Sequence, residues 1–375
     1  MSLFFVTLHD QNRDAMKLNF KTWQVVVLLF ALYSPDLRAQ KAVPVELREV
    51  PDSNRVEVFV SGEFFTAYFQ PEKVKKPVLW PVVSPGGHEI TRSFPLAHQE
   101  GERVDHPHQV GVWFNFGDVN GLDFWNNSEA IAPENRARYG TVEHRSVDLI
   151  KNGRHDAELT VSSDWTDMEG NLLLHEKSTF RFLASDQRRI IDRTTTLTAA
   201  RNQVTFTDNK EGLFAIRVAT ELEMGARGNL GVTAEEGKVR SVTAESRLGI
   251  SGDYLSSEGI SGEEAWGKRA RWMALSGRIG GEEVAVVIID HPSNPGYPAH
   301  WHARGYGLFS ANNMGQKAFS PEEEPFSLTL PPGRQVTFRH RLVVGSGGLT
   351  PGQISRLVTS FVCCRKSKLI SREWK

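Results

Sequence analysis

Apolar and polar residues alternate with a period of two along much of the chain, and this alternation constrains the fold more than any other feature. Residues 55–60 alternate, Ser61 and Gly62 signal a turn, and residues 63–69 resume the alternation, which predicts a β-hairpin. The unbroken apolar run at 284–289 predicts a strand buried on both faces. Further strands are predicted at 156–162 and 172–183, as a second hairpin, at 189–198, and at 326–330 and 336–344, as a closing hairpin.

Many short strands with Gly-rich turns predict an all-β fold, a large antiparallel β-sandwich with few short helices. We find no fixed-period repeat and no Pro/Ser-rich linker. We therefore favour one long sandwich of the kind found in sugar mutarotases, at residues 40–349, over two smaller sandwiches. Residues 350–375 form a separate C-terminal segment. Thr350 and Pro351 predict the start of a helix with Ile354, Leu357, Val358 and Phe361 on one side. The basic tail that ends the segment is expected to be disordered.

A leader is predicted at residues 1–39. Lys17 and Lys21 precede an apolar run at 23–33, and the segment ends at the small residue Ala39. Because the run is too short to cross a bilayer, we favour a signal peptide starting at Met16 over a buried core helix or an uncleaved anchor. The mature chain is then expected to be periplasmic or extracellular, with no transmembrane span.

Composition excludes several classes of protein. The net charge is −1, with acidic and basic residues interspersed, so no basic face for nucleic acid is predicted. The mean hydropathy of −0.35 excludes a multi-span membrane protein. Cys363 and Cys364 are the only cysteines, and adjacent cysteines rarely bridge each other, so no disulfide framework is expected.

The densest polar cluster spans residues 105–125. His106 and His108, two positions apart, could converge on a metal or act as acid and base, although Pro107 favours a loop or a sheet edge. His-x-His alone is more typical of a polar loop, but the neighbouring carboxylates and tryptophans favour a site. The candidates are His106, His108 and Asp118 for catalysis, and Asn120, Asp123 and Trp125 for substrate binding.

A second cluster, residues 207–217, begins before an apolar strand. Asp208, Lys210 and Glu211 form either a charged site at the strand entrance or a solvated β-turn. Arg217 lies inside the strand, where a buried guanidinium would need an anionic or hydrogen-bonding partner unless it points outward. Lys210, Glu211 and Arg217 are candidate substrate-binding residues.

The third cluster, residues 290–313, carries several prolines, which predict a rigid loop. A tryptophan ring with Arg, Asn and His donors suits a sugar, whose C–H faces are apolar and whose hydroxyls need polar partners. The alternative is an aromatic loop packed on the edge of the sandwich. The candidates are His302 for catalysis, and Trp301, Arg304, Tyr306 and Asn312 for substrate binding.

These motifs also resemble a bacterial exported family labelled "methane oxygenase PmoA". The matching segments are 105–108, 117–121, 208–212 and 291–294 with Trp301-His302, in the same order, across roughly residues 50–345. Relatives often carry further histidines where this chain has Gln109 and Phe116. The resemblance implies sugar chemistry, since such proteins are often encoded near genes for sugar oxidoreductases and polysaccharide use.

Three functions follow as hypotheses. The first is a carbohydrate-active hydrolase, lyase or epimerase on a small-molecule or oligosaccharide substrate, with His106 or His108 as base, a carboxylate or second histidine as acid, and Trp125 or Trp301 as stacking platform. The second is a metal-dependent oxygenase in which His106, His108 and His302, with a possible contribution from Asp118, hold a divalent metal, the one cofactor considered. The third is a non-catalytic carbohydrate-binding module.

Overall fold

The computed structural model describes residues 42–363, so the predicted leader and basic tail lie outside the described residues. Within this range the strands are β1 Val45–Glu49, β2 Val56–Val60, β3 Glu63–Phe69, β4 Val78–Leu79, β5 Val112–Phe116, β6 Gly140–Asn152, β7 Asp156–Asp167, β8 Leu172–Ser185, β9 Arg188–Ala199, β10 Val204–Phe206, β11 Gly212–Arg217, β12 Asn229–Thr233, β13 Val239–Thr243, β14 Asp253–Ser256, β15 Trp272–Ile279, β16 Glu282–Asp290, β17 His300–Ala303, β18 Leu308–Asn312, β19 Leu328–Leu330 and β20 Gln335–Ser346. The α-helices are α1 Gln316–Phe319 and α2 Pro351–Val362, and 3₁₀ turns lie at Pro133–Arg138, Thr220–Leu222, Glu235–Gly237, Ala244–Ser246 and Gly262–Ala265.

Two eight-stranded antiparallel sheets form the sandwich. The strand order is β1-β2-β3-β4-β5-β11-β18-β17 in the first sheet and β14-β15-β16-β20-β9-β8-β7-β6 in the second. Strands β10 and β19 form one separate pair, and β12 and β13 form another. The predicted all-β antiparallel sandwich is therefore confirmed.

The main core lies between the two sheets and follows from the alternation of side chains. In β2 every second residue, starting with Val56, is buried. Aromatic rings join the sheets directly: Phe65 contacts Phe182 with a centroid separation of 6.4 Å, and Phe114 contacts Phe338 at 5.8 Å. Removing such rings from water supplies the main driving force for packing one sheet on the other.

Helix α2 covers the far side of the second sheet, as its sequence predicts. The Thr350 side chain accepts a hydrogen bond from the backbone N–H of Gln353 in a capping box. Ile354 and Leu357 are buried in the same apolar cluster as Trp272 of β15. No helix among residues 42–363 is long and apolar enough to cross a membrane.

The structure confirms two predicted hairpins and overturns a third. β2 pairs with β3, and β7 pairs with β8. The predicted hairpin of 326–330 with 336–344 is wrong, because β19 pairs with β10 instead. β20 pairs instead with β9 along residues 335–345 and with β16 from His340 to Ser346.

The prediction of a rigid loop over 290–313 is also wrong in part. Residues 300–303 and 308–312 are strands β17 and β18 at the edge of the first sheet. The prolines of this segment all precede His300, so they remove no donor from either ladder.

Strands β5, β11, β18 and β17 are neighbours, and all of their residues are buried. Ala215 of β11 lies opposite Trp113 on one side and Ser310 on the other, and Ser310 lies opposite His302. Residues opposite one another in register share a face, so this row lies on the outer face, away from the second sheet. Loops cover that outer face and form the setting for the polar clusters.

Asp290, at the end of β16, ties down the loop that leads into β17. Its Oδ1 accepts from the His291 N–H (3.0 Å) and Asn294 Nδ2 (2.7 Å). Its Oδ2 accepts from the Ala299 N–H (2.8 Å) and Asn313 Nδ2 (3.0 Å). A fully buried carboxylate with four donors fixes where the following strand begins.

Replacing Asp290 with Asn is expected to lower the free energy of unfolding by about 2–4 kcal/mol, because the new amide N–H₂ would face two donors. Urea unfolding measures this change. Asp253→Asn is the matched control, since Asp253 is exposed, and it is expected to change the free energy by less than about 0.5 kcal/mol. Equal effects of the two substitutions would contradict the role of Asp290.

Candidate functional site

A buried arginine holds the loop of residues 105–109 on the outer face of the first sheet. Arg92, 1% exposed, donates from Nη1 to the carbonyl of Asp105 (2.7 Å) and to its carboxylate Oδ1 (2.8 Å). Its Nη2 donates to the carbonyls of His106 (2.9 Å) and Gln109 (3.0 Å). These bonds fix the backbone that carries both histidines.

Arg217 of β11 supports the same loop from the sheet below. Its Nη2 donates to Asp105 Oδ1 at 2.7 Å, and its Nη1 donates to Gln109 Oε1 at 2.6 Å. The side chain is fully buried. Of the alternatives left open by the sequence, the buried arginine with an anionic partner is therefore the one observed, and its guanidinium is engaged in positioning the loop.

Asp105 lies between the two arginines and remains ionised. Burial alone raises the pKa of its carboxyl group, but hydrogen bonding with His106 and the charges of Arg217 and Arg92 outweigh burial and hold the pKa well below the ordinary range. The carboxylate thus balances part of the positive charge that the two guanidinium groups bring into the protein interior.

The two histidines of the loop lie at different depths. His106 has a φ of +45°, is 41% exposed, and stacks on Tyr306 with ring centroids 4.9 Å apart. His108 is buried, edge-on to His106 at 5.7 Å. Burial, followed by the charges of Lys76 and His106, lowers the pKa of His108 well below that of an ordinary histidine, so it is neutral at physiological pH.

Glu211 and His302 meet beside them on the same face. Glu211 immediately precedes β11, and His302 lies on β17, with its Nδ1 3.6 Å from Glu211 Oε2. Burial raises the pKa of Glu211, against the effect of Lys210, whose Nζ lies 3.3 Å from Glu211 Oε1. Burial and then the charge of Arg304 lower the pKa of His302 to about 3, so its ring is neutral.

Electrostatic coupling joins these groups into one site. The charge of His106 lowers the pKa of Glu211, of His302 and of His108. Such coupling requires proximity, because the interaction between charges weakens with distance and solvent. We call His106, His108, Glu211 and His302 the histidine cluster.

Buried polar atoms without a hydrogen-bond partner accumulate around the histidine cluster. They are His108 Nε2, His302 Nδ1, Asn115 Oδ1, Trp113 Nε1, Trp125 Nε1 and Trp266 Nε1. Most buried polar groups in folded proteins have a partner, so each exception calls for an explanation. A concentration of them beside proton-transfer groups is typical of a site that hydrogen-bonds a polar ligand.

Lys76 is a part of this region that the sequence did not indicate. Its fully buried Nζ donates to the carbonyl of Trp125 at 3.1 Å and lies 5.2 Å from the ring centroid of Trp113. Burial lowers the pKa of its ammonium group to about 7, opposed only by Asp123. A lysine in a charged, proline-flanked segment is ordinarily solvated, so no local pattern reveals it.

The outer rim of the site is aromatic and cationic. The Arg304 guanidinium lies 5.8 Å from the ring centroid of Trp266 and 5.7 Å from that of Tyr306. The ring of Trp266 also contacts His302, with centroids 6.4 Å apart. Trp266 was not selected from the sequence, because it comes from a distant loop with no motif around it.

Several residues predicted from the first cluster stabilise turns instead. Asp118 Oδ1 accepts from the Gly121 N–H at 3.0 Å. Asn120 exchanges side-chain hydrogen bonds with the backbone at Gln203 and Thr205. Neither makes a contact with the histidine cluster in the described part of the chain, so the placement of Asp118 among catalytic residues does not fit its position.

Asp123 lies close enough to Glu211 to raise the pKa of that carboxyl group. Both of its oxygens are nevertheless occupied. Oδ1 accepts from the backbone N–H groups of Trp125 and Asn126, both at 2.9 Å, and Oδ2 accepts from Asn126 Nδ2 at 2.7 Å. Asp123 therefore orders the backbone under Trp125.

Three other predicted ligand-binding side chains are used in packing or structure. Trp301 is fully buried in the core between the sheets, and its Nε1 donates to Ala270, so its ring does not face the site. Trp125 is fully buried against Trp113, with only its indole N–H left unpaired. Asn312 bonds the backbone of Asn209 and Met314.

The histidines do not form a metal site in this arrangement. No group of three His, Cys, Asp or Glu side chains between Ala42 and Cys363 is placed to hold a metal ion. The proposed ligands have different surroundings: His106 stacks on Tyr306, His108 has a buried and unpaired Nε2, and His302 lies beside Glu211. Metal ligation needs converging donors, so these residues do not fit the metal hypothesis.

Two surface cavities of about 390 Å³ lie elsewhere. One is lined by residues that include Thr220, Arg240 and Arg247, and the other by residues that include Arg145, Asp164 and His175. None of the lining residues belongs to the histidine cluster. We place the functional site at the cluster, because proton-transfer groups and unpaired donors coincide there.

Comparison with known proteins gives one family match. The model described as "Family of unknown function (DUF6807)" matches residues 55–359. No curated protein matches the sequence.

Several solved structures are similar at low identity. The galactosidase domain of an alpha-galactosidase-sucrose kinase, AgaSK, has a TM-score of 0.39 and 9% identity. The match covers 80% of this chain and only 41% of the AgaSK chain. A galactose mutarotase-like protein from Clostridium acetobutylicum has a TM-score of 0.35 and 11% identity, covering 82% and 99% of the two chains. Galactose 1-epimerase from Lactobacillus acidophilus NCFM has a TM-score of 0.35 and 9% identity, covering 82% and 100%. Likenesses at these scores carry no argument about activity.

Lys76→Met is expected to be more stable than the wild type at pH 6, by about 1–4 kcal/mol. The folded pKa of Lys76, about 7, lies below its unfolded value, so below pH 7 both states are protonated and burial of the charge carries its full cost. Between pH 7 and about 10 the unfolded chain binds more protons, so the wild type gains stability and the advantage of Met shrinks.

Urea unfolding of both proteins at pH 6 and pH 9 tests this expectation. Lys73→Met is the control, because Lys73 is exposed and its substitution is expected to give a difference that does not change with pH. An advantage of Lys76→Met that grows with pH would show that Lys76 is not a buried cation.

Proposed function

We propose that this chain, which belongs to the family of unknown function DUF6807, is a carbohydrate-active enzyme that moves protons on a sugar by glutamate–histidine acid–base chemistry. The observation that carries the proposal is the convergence of Glu211, His106 and His302 amid buried, unpaired polar groups on one face. Acid–base catalysis needs two positioned groups, one that accepts a proton and one that donates one.

Glu211 is the proposed general base. Burial raises its pKa, which makes the carboxylate a stronger proton acceptor than a solvated glutamate. The neutral His302 ring lies beside the carboxylate, with Nδ1 3.6 Å from Oε2. His106, partly exposed at the rim with its Nδ1 3.4 Å from Asp105 Oδ2, is the proposed acid, because an imidazole can donate a proton to a leaving oxygen.

A sugar suits the surroundings of these groups. Trp266 is partly exposed at the rim, and aromatic faces pack against the C–H faces of sugar rings. The unpaired indole and imidazole nitrogens below the rim supply hydrogen bonds of the kind that hydroxyl groups require. Both features support a small sugar or oligosaccharide as substrate.

The number of free carboxyl groups near the histidine cluster favours a lyase or epimerase over a glycosidase. Glycoside hydrolysis ordinarily uses two free carboxyl groups facing the scissile bond. Within the described residues of the cluster, Glu211 has carboxylate oxygens available, whereas Asp123 uses both oxygens on the backbone and side chain nearby. A single carboxylate with neighbouring histidines suits a reaction that removes a proton from carbon and returns one, because these groups can act as general base and general acid.

Glu211→Gln is expected to lower kcat/KM at least about 100-fold on any sugar that the enzyme converts, because the amide cannot accept the proton. Activity is measured on a panel of neutral and acidic glycosides by NMR, which detects elimination, epimerisation and hydrolysis alike. In the wild type the acid limb of the pH profile is expected above the ordinary pKa of glutamate, since activity is lost as Glu211 becomes protonated.

Asp118→Asn is the matched control. It makes the same change of carboxylate to amide, and its remaining oxygen still accepts from Gly121, so activity is expected within about threefold of the wild type. Full activity of Glu211→Gln would overturn the proposed base. Sugar binding without turnover in the wild type would instead support the binding-module hypothesis.

A further inference from the structure

We infer that the substrate carries a carboxylate, as a uronic acid does, and that Arg304 binds it. This inference rests on the proposed function and specifies its substrate class. Arg304 is exposed at the rim, and its side chain makes no hydrogen bond or ion pair with any residue in the described range 42–363.

The other arginines of this region are already neutralised. Arg92 and Arg217 both donate to Asp105. Arg103 lies 3.3 Å from Asp105 and 3.5 Å from Glu223. Arg304 therefore differs from its neighbours, because among residues 42–363 its guanidinium has aromatic rings and no acid as partners.

The aromatic contacts hold Arg304 in a defined place. Its guanidinium lies within 6 Å of the centroids of both Trp266 and Tyr306. Planar guanidinium groups near aromatic faces keep their N–H edges free, and these edges match the two oxygens of a carboxylate. A side chain fixed in this way loses less entropy on binding than a free surface arginine does.

The same two rings connect Arg304 to the histidine cluster. Tyr306 stacks on His106, and Trp266 contacts His302. The charge of Arg304 contributes to the lowered pKa of His302, which confirms their proximity. A carboxylate bound by Arg304 would therefore lie at the rim, with the adjoining carbon directed toward Glu211.

This placement suits the proton chemistry proposed for Glu211. Glu211 takes the proton from the carbon next to the substrate carboxylate, and the C–H electron pair moves into that carboxylate, where Arg304 stabilises the added negative charge. In elimination, the pair then forms a C=C bond as the C–O bond to the leaving sugar breaks, and His106 protonates the departing oxygen. In epimerisation, His106 gives a proton to the same carbon from the opposite face, while Glu211 keeps the proton that it removed. Neither route needs an oxidant or a reductant.

The test compares a charged and a neutral probe on the full chain. Methyl glucuronoside and methyl glucoside differ only at the group that Arg304 is expected to bind, and oligogalacturonate and maltotriose extend the comparison to oligosaccharides. Calorimetric binding and NMR turnover are measured for each. The wild type is expected to bind or convert at least one acidic probe about 10–100-fold better than its neutral counterpart, as a charge-assisted bidentate contact provides.

Arg304→Gln is expected to remove most of that preference by raising Kd or KM for the acidic probe, with little change for the neutral one. Arg304→Lys keeps the charge without the bidentate edge and is expected to fall between them. Arg271→Gln is the control, since Arg271 has a side chain 57% exposed and lies outside the site. Thermal unfolding establishes that each variant is folded.

The outcomes separate the two proposals. Equal use of acidic and neutral probes by the wild type, or equal loss of both in Arg304→Gln, would overturn the carboxylate inference and leave the proposed sugar enzyme standing. Failure of the wild type to bind or convert any of the four sugars would overturn both.

Discussion

The buried group of Arg92, Asp105 and Arg217 is the interaction on which the site depends. Two guanidinium groups in the protein interior are costly unless an anion and carbonyl oxygens take up their donors, and Asp105 with its loop supplies both. The charges thereby fix the loop conformation, including the left-handed backbone of His106. A buried ion group adds little to stability by itself, but it leaves the loop few alternatives, and this is the property that a site needs.

Fixing the loop gives its two histidines different chemistry. His106 emerges at the rim beside a carboxylate, whereas His108 is buried with an unpaired Nε2 and a depressed pKa. Identical side chains two residues apart therefore lie in different environments, because one is solvated and the other is buried. The same contrast separates Glu211, whose pKa is raised by burial, from Asp105, whose pKa the arginines keep low.

The sequence predicted the scaffold better than the site, for a physical reason. Alternation is local, so hairpins such as β2–β3 could be predicted, whereas the partner of β19 depends on which edges other strands leave open. Trp301 shows how one error propagates. Prolines suggested a loop, but in the strand actually formed a residue between His300 and His302 must face the core. His106, His108, Glu211 and His302 were candidates from three separate polar clusters, and only the fold brings them together. Lys76 and Trp266 join them only through tertiary contacts.

Burying polar side chains on the outer face of the first sheet costs stability, and this cost favours a functional reason for their presence over a structural one. A chain selected only to fold would bury apolar side chains on β5, β11, β17 and β18, as it does at Trp113, Ala215 and Leu308. Beside these it buries a lysine, two neutral histidines and several unpaired donors, each of which costs stability. The inner face of the same strands carries Phe114 and Phe214 in the main core and shows what the packing alone requires. The described inner-face residues of these four strands are apolar, so the polar groups that weaken their outer face are what a binding site for a polar ligand contributes.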